Sequence, residues 1–198
     1  LLYDANDGDW YFHLLAVSLL IPLSTKSACK AIWAKLAGPL AIESTLVRHI
    51  DRDEHPSLQL GALFVLSVCF MDPASRSLTV KGDTILKLVD VAFSVVSSRA
   101  VQSAALHVLL NLSTSPEVQL AICNTCLKNL VKLVNRGQKK SEAECTTGSI
   151  EEEEPSPMFT FDSTLAAMAA DFAVSILANL EMNAKCRMAM YQELLEIG

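Results

Sequence analysis

The sequence predicts an all-α protein, a solenoid of about four stacked helical units with the terminal ones incomplete. Three observations predict it. First, one frame recurs at four places, ending in Leu20-Ile21-Pro22-Leu23-Ser24, Val65-Leu66-Ser67-Val68-Cys69, Leu109-Leu110-Asn111-Leu112-Ser113 and Leu177-Ala178-Asn179-Leu180-Glu181. Pro22, Ser67, Asn111 and Asn179 are equivalent, at spacings of 45, 44 and 68 residues. Helical repeats run to roughly 40–47 residues, so the third spacing implies an insertion. Second, three columns agree around the frame. Six residues before the reference position stand Ala16, Gly61, Ala105 and Ala173, and two before it Leu20, Val65, Leu109 and Leu177. Eleven after it stand Trp33, Leu78, Ile122 and Met190. Small residues let helices approach closely, and the large ones fill the shared core. Third, no segment alternates polar and apolar residues as a strand does.

The helices follow in order. Ser27 to Ala37 forms a short helix ended by Gly38-Pro39, and Leu40 to Ile50 continues after the bend. His55-Pro56-Ser57 opens the helix Leu58 to Phe70, with proline in the first turn where its missing donor costs nothing. Asp72-Pro73 opens a short helix that Gly82 closes. Thr84 to Val96 is amphipathic, with Ile85, Leu86, Leu88, Val89, Ala92, Phe93 and Val96 on the side expected to be buried. Ser98 starts the next helix, which runs to Ser113. Ser115-Pro116-Glu117 then opens a short helix through about Asn124, and Leu127 to Val134 follows it.

Residues 136–162 break the pattern. They are polar, carry the acidic run Glu151 to Glu154 and contain Pro155 and Pro157. Such a segment buries too little apolar surface to order itself, so it is expected to be a flexible acidic insertion that crosses no core contact. Residues 157–162, with Phe159 and Phe161, can equally begin the docking of the next helix.

Composition sets limits on function. The chain has 198 residues, 51% of them hydrophobic, enough for a continuous core. A net charge of −6 gives no basic footprint for a nucleic-acid backbone, so no nucleic-acid partner is expected. The longest apolar stretches, Leu14 to Leu23 and Leu60 to Met71, are shorter than the roughly 20 residues that span a bilayer, and no membrane insertion is expected. Six cysteines, Cys29, Cys69, Cys123, Cys126, Cys145 and Cys186, are scattered, and five of them fall inside apolar helical patterns, which points to burial in a reducing compartment, cytoplasmic or nuclear. Cys123-Asn124-Thr125-Cys126 lacks the second Cys or His pair that zinc requires, so no metal or other cofactor is expected.

The order of short helix, bend, amphipathic helix and small-residue helix resembles the armadillo repeat over nearly the whole chain except the insertion. The first-helix residues Trp33, Leu78, Ile122 and Met190 fit that family's pattern. Of the glycines expected four residues later, Gly82 fits, Gly38 is one residue off, Gly198 comes late, and Cys126 departs. Ala105 to Leu112 and Ala173 to Leu180 match its Ala-x-x-x-Leu-x-Asn-Leu motif, while Pro22 and Ser67 replace the asparagine elsewhere. HEAT repeats share much of this pattern. The resemblance implies a right-handed superhelix. By its phase the chain starts on the last helix of one repeat and stops after the first helix of another. It is therefore expected to be a fragment of a longer chain, with further repeats or a partner capping both ends.

Catalytic constellations are absent: His13, His49, His55 and His107 have no nucleophile or carboxylate partner at a catalytic spacing, and no enzyme is expected. The sequon Asn111-Leu112-Ser113 falls at a packed helix end and is expected to stay unused. The stronger signal is a polar stripe, because side chains four apart on a helix share a face. It reads Gln59, Leu63, Ser67, then Ser103, His107, Asn111, then Asp171, Ser175, Asn179, with a weaker Leu14, Ser18, Pro22 copy. Gln59, Ser67, Ser103, His107, Asn111, Asp171, Ser175 and Asn179 are thus the candidate partner-binding residues. Read from the residues alone, the stripe is either a face turned to water or a binding ladder. The resemblance implies that these helices line a concave groove where asparagines clamp an extended peptide, since an amide both donates and accepts. Import receptors of the family place tryptophan four residues before the asparagine. Ser18, Leu63, His107 and Ser175 stand there instead, which argues against basic-signal import.

The function expected is a non-catalytic scaffold that binds a partner protein or peptide. Its rivals are a regulatory or assembly subunit using edges or the convex face, and a non-catalytic region of a larger enzyme. Ser149 and Ser156 lie in contexts that kinases use.

Overall fold

The computed structural model describes residues 46–50, 55–71, 82–146 and 157–197. Among these residues every regular element is a helix and no strand occurs. A helical stretch over 46–50 precedes α1 (Pro56–Cys69), α2 (Gly82–Phe93), α3 (Arg99–Ser113), α4 (Pro116–Thr146), α5 (Pro157–Glu181) and α6 (Ala184–Ile197).

Local chemistry explains most boundaries. Pro56 occupies the first turn of α1, where a missing N–H is no loss. Ser98 caps α3: its hydroxyl oxygen accepts from the Val101 amide at 3.3 Å. Asn183 does the same for α6, accepting from the Lys185 amide at 3.1 Å. The helix expected to run to Val96 stops at Phe93, because Gln102 of α3 binds the Ser94 and Ser97 carbonyls and holds the connecting turn; Leu86 and Val96, expected on the buried side, are exposed, Val96 because it falls in that turn. Gly82, expected to close one helix, instead opens α2.

Two corrections concern α4. The expected break after Asn124 does not exist, and residues 116–146 form one helix. No glycine or proline lies between Asn124 and Leu127, so nothing interrupts the i to i−4 hydrogen bonds. The helix also runs eleven residues into the segment 136–162, and α5 begins at Pro157 inside it. The start of the segment also packs against α5. A Cβ built on Gly137 would lie 2.9 Å from the Ala170 Cβ, so α4 and α5 approach where no side chain fits. A mid-helix glycine costs about 1 kcal/mol against alanine, and the close approach offsets it. Residues 147–156 lie outside the described residues.

The frame residues form the core. Ala105, Ala173, Val65, Leu109 and Ile122 are fully buried, and Leu177 and Met190 pack on them half-buried. Trp33, Leu78 and Ala16 lie outside the described residues. The repeated helices are neighbours: α3 packs against α1 on one hand and α5 on the other. Second helices meet as α2 on α4, and α4 also touches α3, α5 and α6.

Candidate functional site

The repeated helices bring three of the eight candidate residues into one node. Asn111 Nδ2 on α3 donates to the Ser67 carbonyl oxygen at 2.9 Å and to Ser67 Oγ at 3.0 Å, across to α1. Ser67 Oγ also lies 3.2 Å from His107 Nδ1. The His107 ring stacks on Phe172 of α5, centroids 5.2 Å apart and planes 15° from parallel. One residue on the middle helix therefore touches both neighbours.

A second node joins α3 to α5. Asn179 Nδ2 donates to Ser113 Oγ at 2.8 Å, and that hydroxyl donates to the Leu110 carbonyl at 2.7 Å. Gln119 of α4, buried, donates to the Ser113 carbonyl at 2.9 Å and the Asn179 carbonyl at 3.0 Å. These carbonyls end helices, where the last four have no intrahelical partner. Ser113, Gln119 and Phe172 are not among the candidate partner-binding residues of the stripe. The signal for Gln119 is a polar residue among the apolar positions of Val118, Ile122 and Cys123.

The stripe is thus not uniformly turned to water. Gln59, Ser67 and Ser103 are buried, and Gln59 Nε2 donates to the Ile50 carbonyl at 2.9 Å. For these three the expected open face is corrected, because helices pack over it. His107, Asn111 and Asn179 are half-buried, and Asp171 and Ser175 are exposed. Ser175 Oγ donates back to the Asp171 carbonyl at 2.9 Å, a bond within its own helix. Ser113, part of the sequon, is fully buried. Ser149, Ser156 and the Glu151–Glu154 run lie outside the described residues.

Three cysteines, Cys123 and Cys126 of α4 and Cys186 of α6, lie near one another, while Cys69 is on α1. Cys126 Sγ donates to the Ile122 carbonyl at 3.2 Å, and Cys123 Sγ lies 4.0 Å from the Cys186 carbonyl. Burial pushes the Cys123 and Cys126 thiols up to about 12, with neighbouring cysteines adding to the shift. The thiolate is the reactive form, so both are expected to resist iodoacetamide at pH 8, reacting at least about 100-fold more slowly than in urea. Peptide mass spectrometry reads this, and equal rates would show that α4 and α6 open freely. The raised values also fix a sign: the stability these protonated thiols contribute is intact below pH 9 and falls as pH rises toward 12. No group of three or more metal-ligating side chains occurs among the described residues.

One stretch of α5, Thr164–Glu181, is long and apolar enough by length and composition to cross a membrane. The sequence hides it because Asp171, Ser175 and Asn179 interrupt the apolar run. One side of this helix packs on α3 and α4, and Asn179 bonds there. No family model, curated protein or solved structure matches the chain.

Proposed function

We propose that the protein is an armadillo-like, right-handed α-solenoid of about four stacked units, acting as a non-catalytic scaffold for a partner protein or extended peptide. One observation carries the reading: successive repeated helices are cross-linked by Asn111 to Ser67 and Asn179 to Ser113. Such bonds set the spacing and register of a stack and leave one continuous helix layer as a surface. On that layer the asparagines act as pillars, since their amide donors already serve neighbouring helices. Partner contact then rests on the half-buried His107–Phe172 stack and on exposed Ser175. An aromatic platform of this kind takes up an extended chain by apolar contact, with nearby polar groups meeting its backbone. The partner is a protein rather than nucleic acid, in keeping with the net charge of −6, and the setting is cytoplasmic or nuclear without membrane insertion.

A second reading has its own support. The turn between α2 and α3 presents Val95 and Val96, both strongly exposed, and adjacent apolar side chains there fit an assembly subunit that docks by its edge. One experiment separates the two. Affinity capture from cells expressing the full chain, with quantitative mass spectrometry, is run on Ser175→Arg and on Val95→Asp with Val96→Asp. These positions are exposed, so folding is expected to survive and circular dichroism checks it. Loss of about tenfold in partner recovery with Ser175→Arg alone supports the layer surface. Loss with the valine pair alone moves the contact to the edge, and undiminished recovery in both sinks the scaffold reading.

A further inference from the structure

The longest helix carries a run of charge of one sign. Between Val118 and Ser141, α4 holds Lys128, Lys132, Arg136, Lys139 and Lys140 and no acidic residue, in a chain whose net charge is −6. Side chains four apart on a helix share a face, about 6 Å apart along the axis and about 40° apart around it. Lys128, Lys132 and Arg136 therefore form a ladder. All three are exposed, as is Asn135 beside them, while Cys126, Leu127, Leu130 and Val131 are buried on the opposite side. The ladder face holds no apolar side chain on which another helix could pack, so its exposure comes from its own chemistry. The outward face of α2, with Asp83, Leu86 and Asp90, likewise stays exposed although α3 and α4 pack on that helix.

A solvated helix face usually balances such a run with acids three or four residues away, and this one does not. Lys128 meets Glu193 of α6 at 3.3 Å, yet its side chain remains 65% exposed. Among the described residues Lys132 and Arg136 have no ion-pair partner. Like charges four apart repel and weaken a helix, so the ladder gains from a counter-charge brought from outside. Its spacing selects the shape of that partner. An extended peptide sends every second side chain to one side, about 6.6 Å apart, close to the rungs of the ladder. Carboxylates at alternate residues then meet successive rungs. Arg136 offers a carboxylate two parallel N–H bonds, and Asn135 offers the peptide backbone both a donor and an acceptor. The −6 of the whole chain repels a long polyanion or an anionic membrane, whereas a short acidic segment touches the ladder alone.

We propose that the outer face of α4 docks an acidic segment of a partner protein, extended and carrying carboxylates at alternate residues. The proposal goes beyond the scaffold reading and does not depend on it, since the ladder lies on α4 and not on the layer of repeated helices. The probe is a labelled peptide alternating glutamate with serine, followed by fluorescence anisotropy on the full chain in low salt. The wild-type chain should bind it at least about tenfold more tightly than the same peptide with glutamine for glutamate, and added salt should weaken binding. Lys132→Glu with Arg136→Glu should weaken it at least about tenfold, and Lys132→Arg should leave it within about twofold. Both side chains are exposed, so circular dichroism should stay unchanged. Equal binding of the two peptides, or a double variant that binds as the wild type does, overturns the proposal. Tighter binding to oligothymidylate or to phosphatidylserine vesicles also overturns it, giving the ladder to nucleic acid or to a membrane.

Discussion

Leu109→Ala is expected to lower the stability of the fold by about 2–5 kcal/mol, the range for deleting a buried leucine whose surroundings cannot close over the gap. Leu109 is fully buried, two residues before Asn111 on α3, and α3 packs against α1, α2, α4 and α5. With so many helices converging, collapse at one side opens space at another, which places the cost toward the upper part of the range. In a chain of this length each kcal/mol shifts the melting temperature by roughly 2–4 °C, so the midpoint should fall by about 5–15 °C. Leu109→Met keeps most of the volume and should cost less than about 1.5 kcal/mol. Thermal melts followed by circular dichroism test both. A loss below about 1 kcal/mol for the alanine variant would mean that α3 is not the shared helix of the stack.

Gln119→Leu is expected to cost about 2–4 kcal/mol, because it leaves two buried carbonyls, of Ser113 and Asn179, without their donor at roughly 1–3 kcal/mol each. Asn179→Ala should cost less, about 1 kcal/mol, since Ser113 Oγ keeps its bond to the Leu110 carbonyl. The order of the two effects is the test, and urea denaturation reads it. Gln119→Glu adds a pH signature. A carboxylate cannot donate and would sit between two carbonyl oxygens, so the variant should be least stable at neutral pH. It should recover as acid protonates the new side chain and restores one donor. Equal stability across that range would show that the carbonyls have found water.

Much of this fold can be read from the sequence for a stated reason. Small and large residues at fixed offsets mark where helices touch, and Ala105, Ala173, Leu109 and Ile122 are buried accordingly. Ser98 and Pro56 mark helix starts through backbone chemistry that acts locally. What the periodicity cannot tell is what a face meets. Gln59, Ser67 and Ser103 share a stripe, as spacing requires, yet neighbouring helices cover them and their polarity is spent inside. Asn111 and His107 look alike from the sequence, as polar residues on one face. Only the placement of α1 and α5 makes one a clamp and the other a bridge. The continuous α4 was hidden because a repeat frame anticipates a bend that these residues do not encode.

That unbroken α4 bears on how the molecule comes apart. Its 31 residues make a rod of about 46 Å at 1.5 Å per residue. Near its start Cys123 meets α6, and further along Gly137 meets α5. Stacked repeats joined by bends can melt one unit at a time, since each unit touches only its neighbours. A rod that crosses the boundary removes that freedom here: fraying it loosens α5 and α6 together, and holding either keeps the rod whole. Residues from α3 to α6 therefore behave as one opening unit in hydrogen exchange, with amides along the inner side of α4 sharing a single protection.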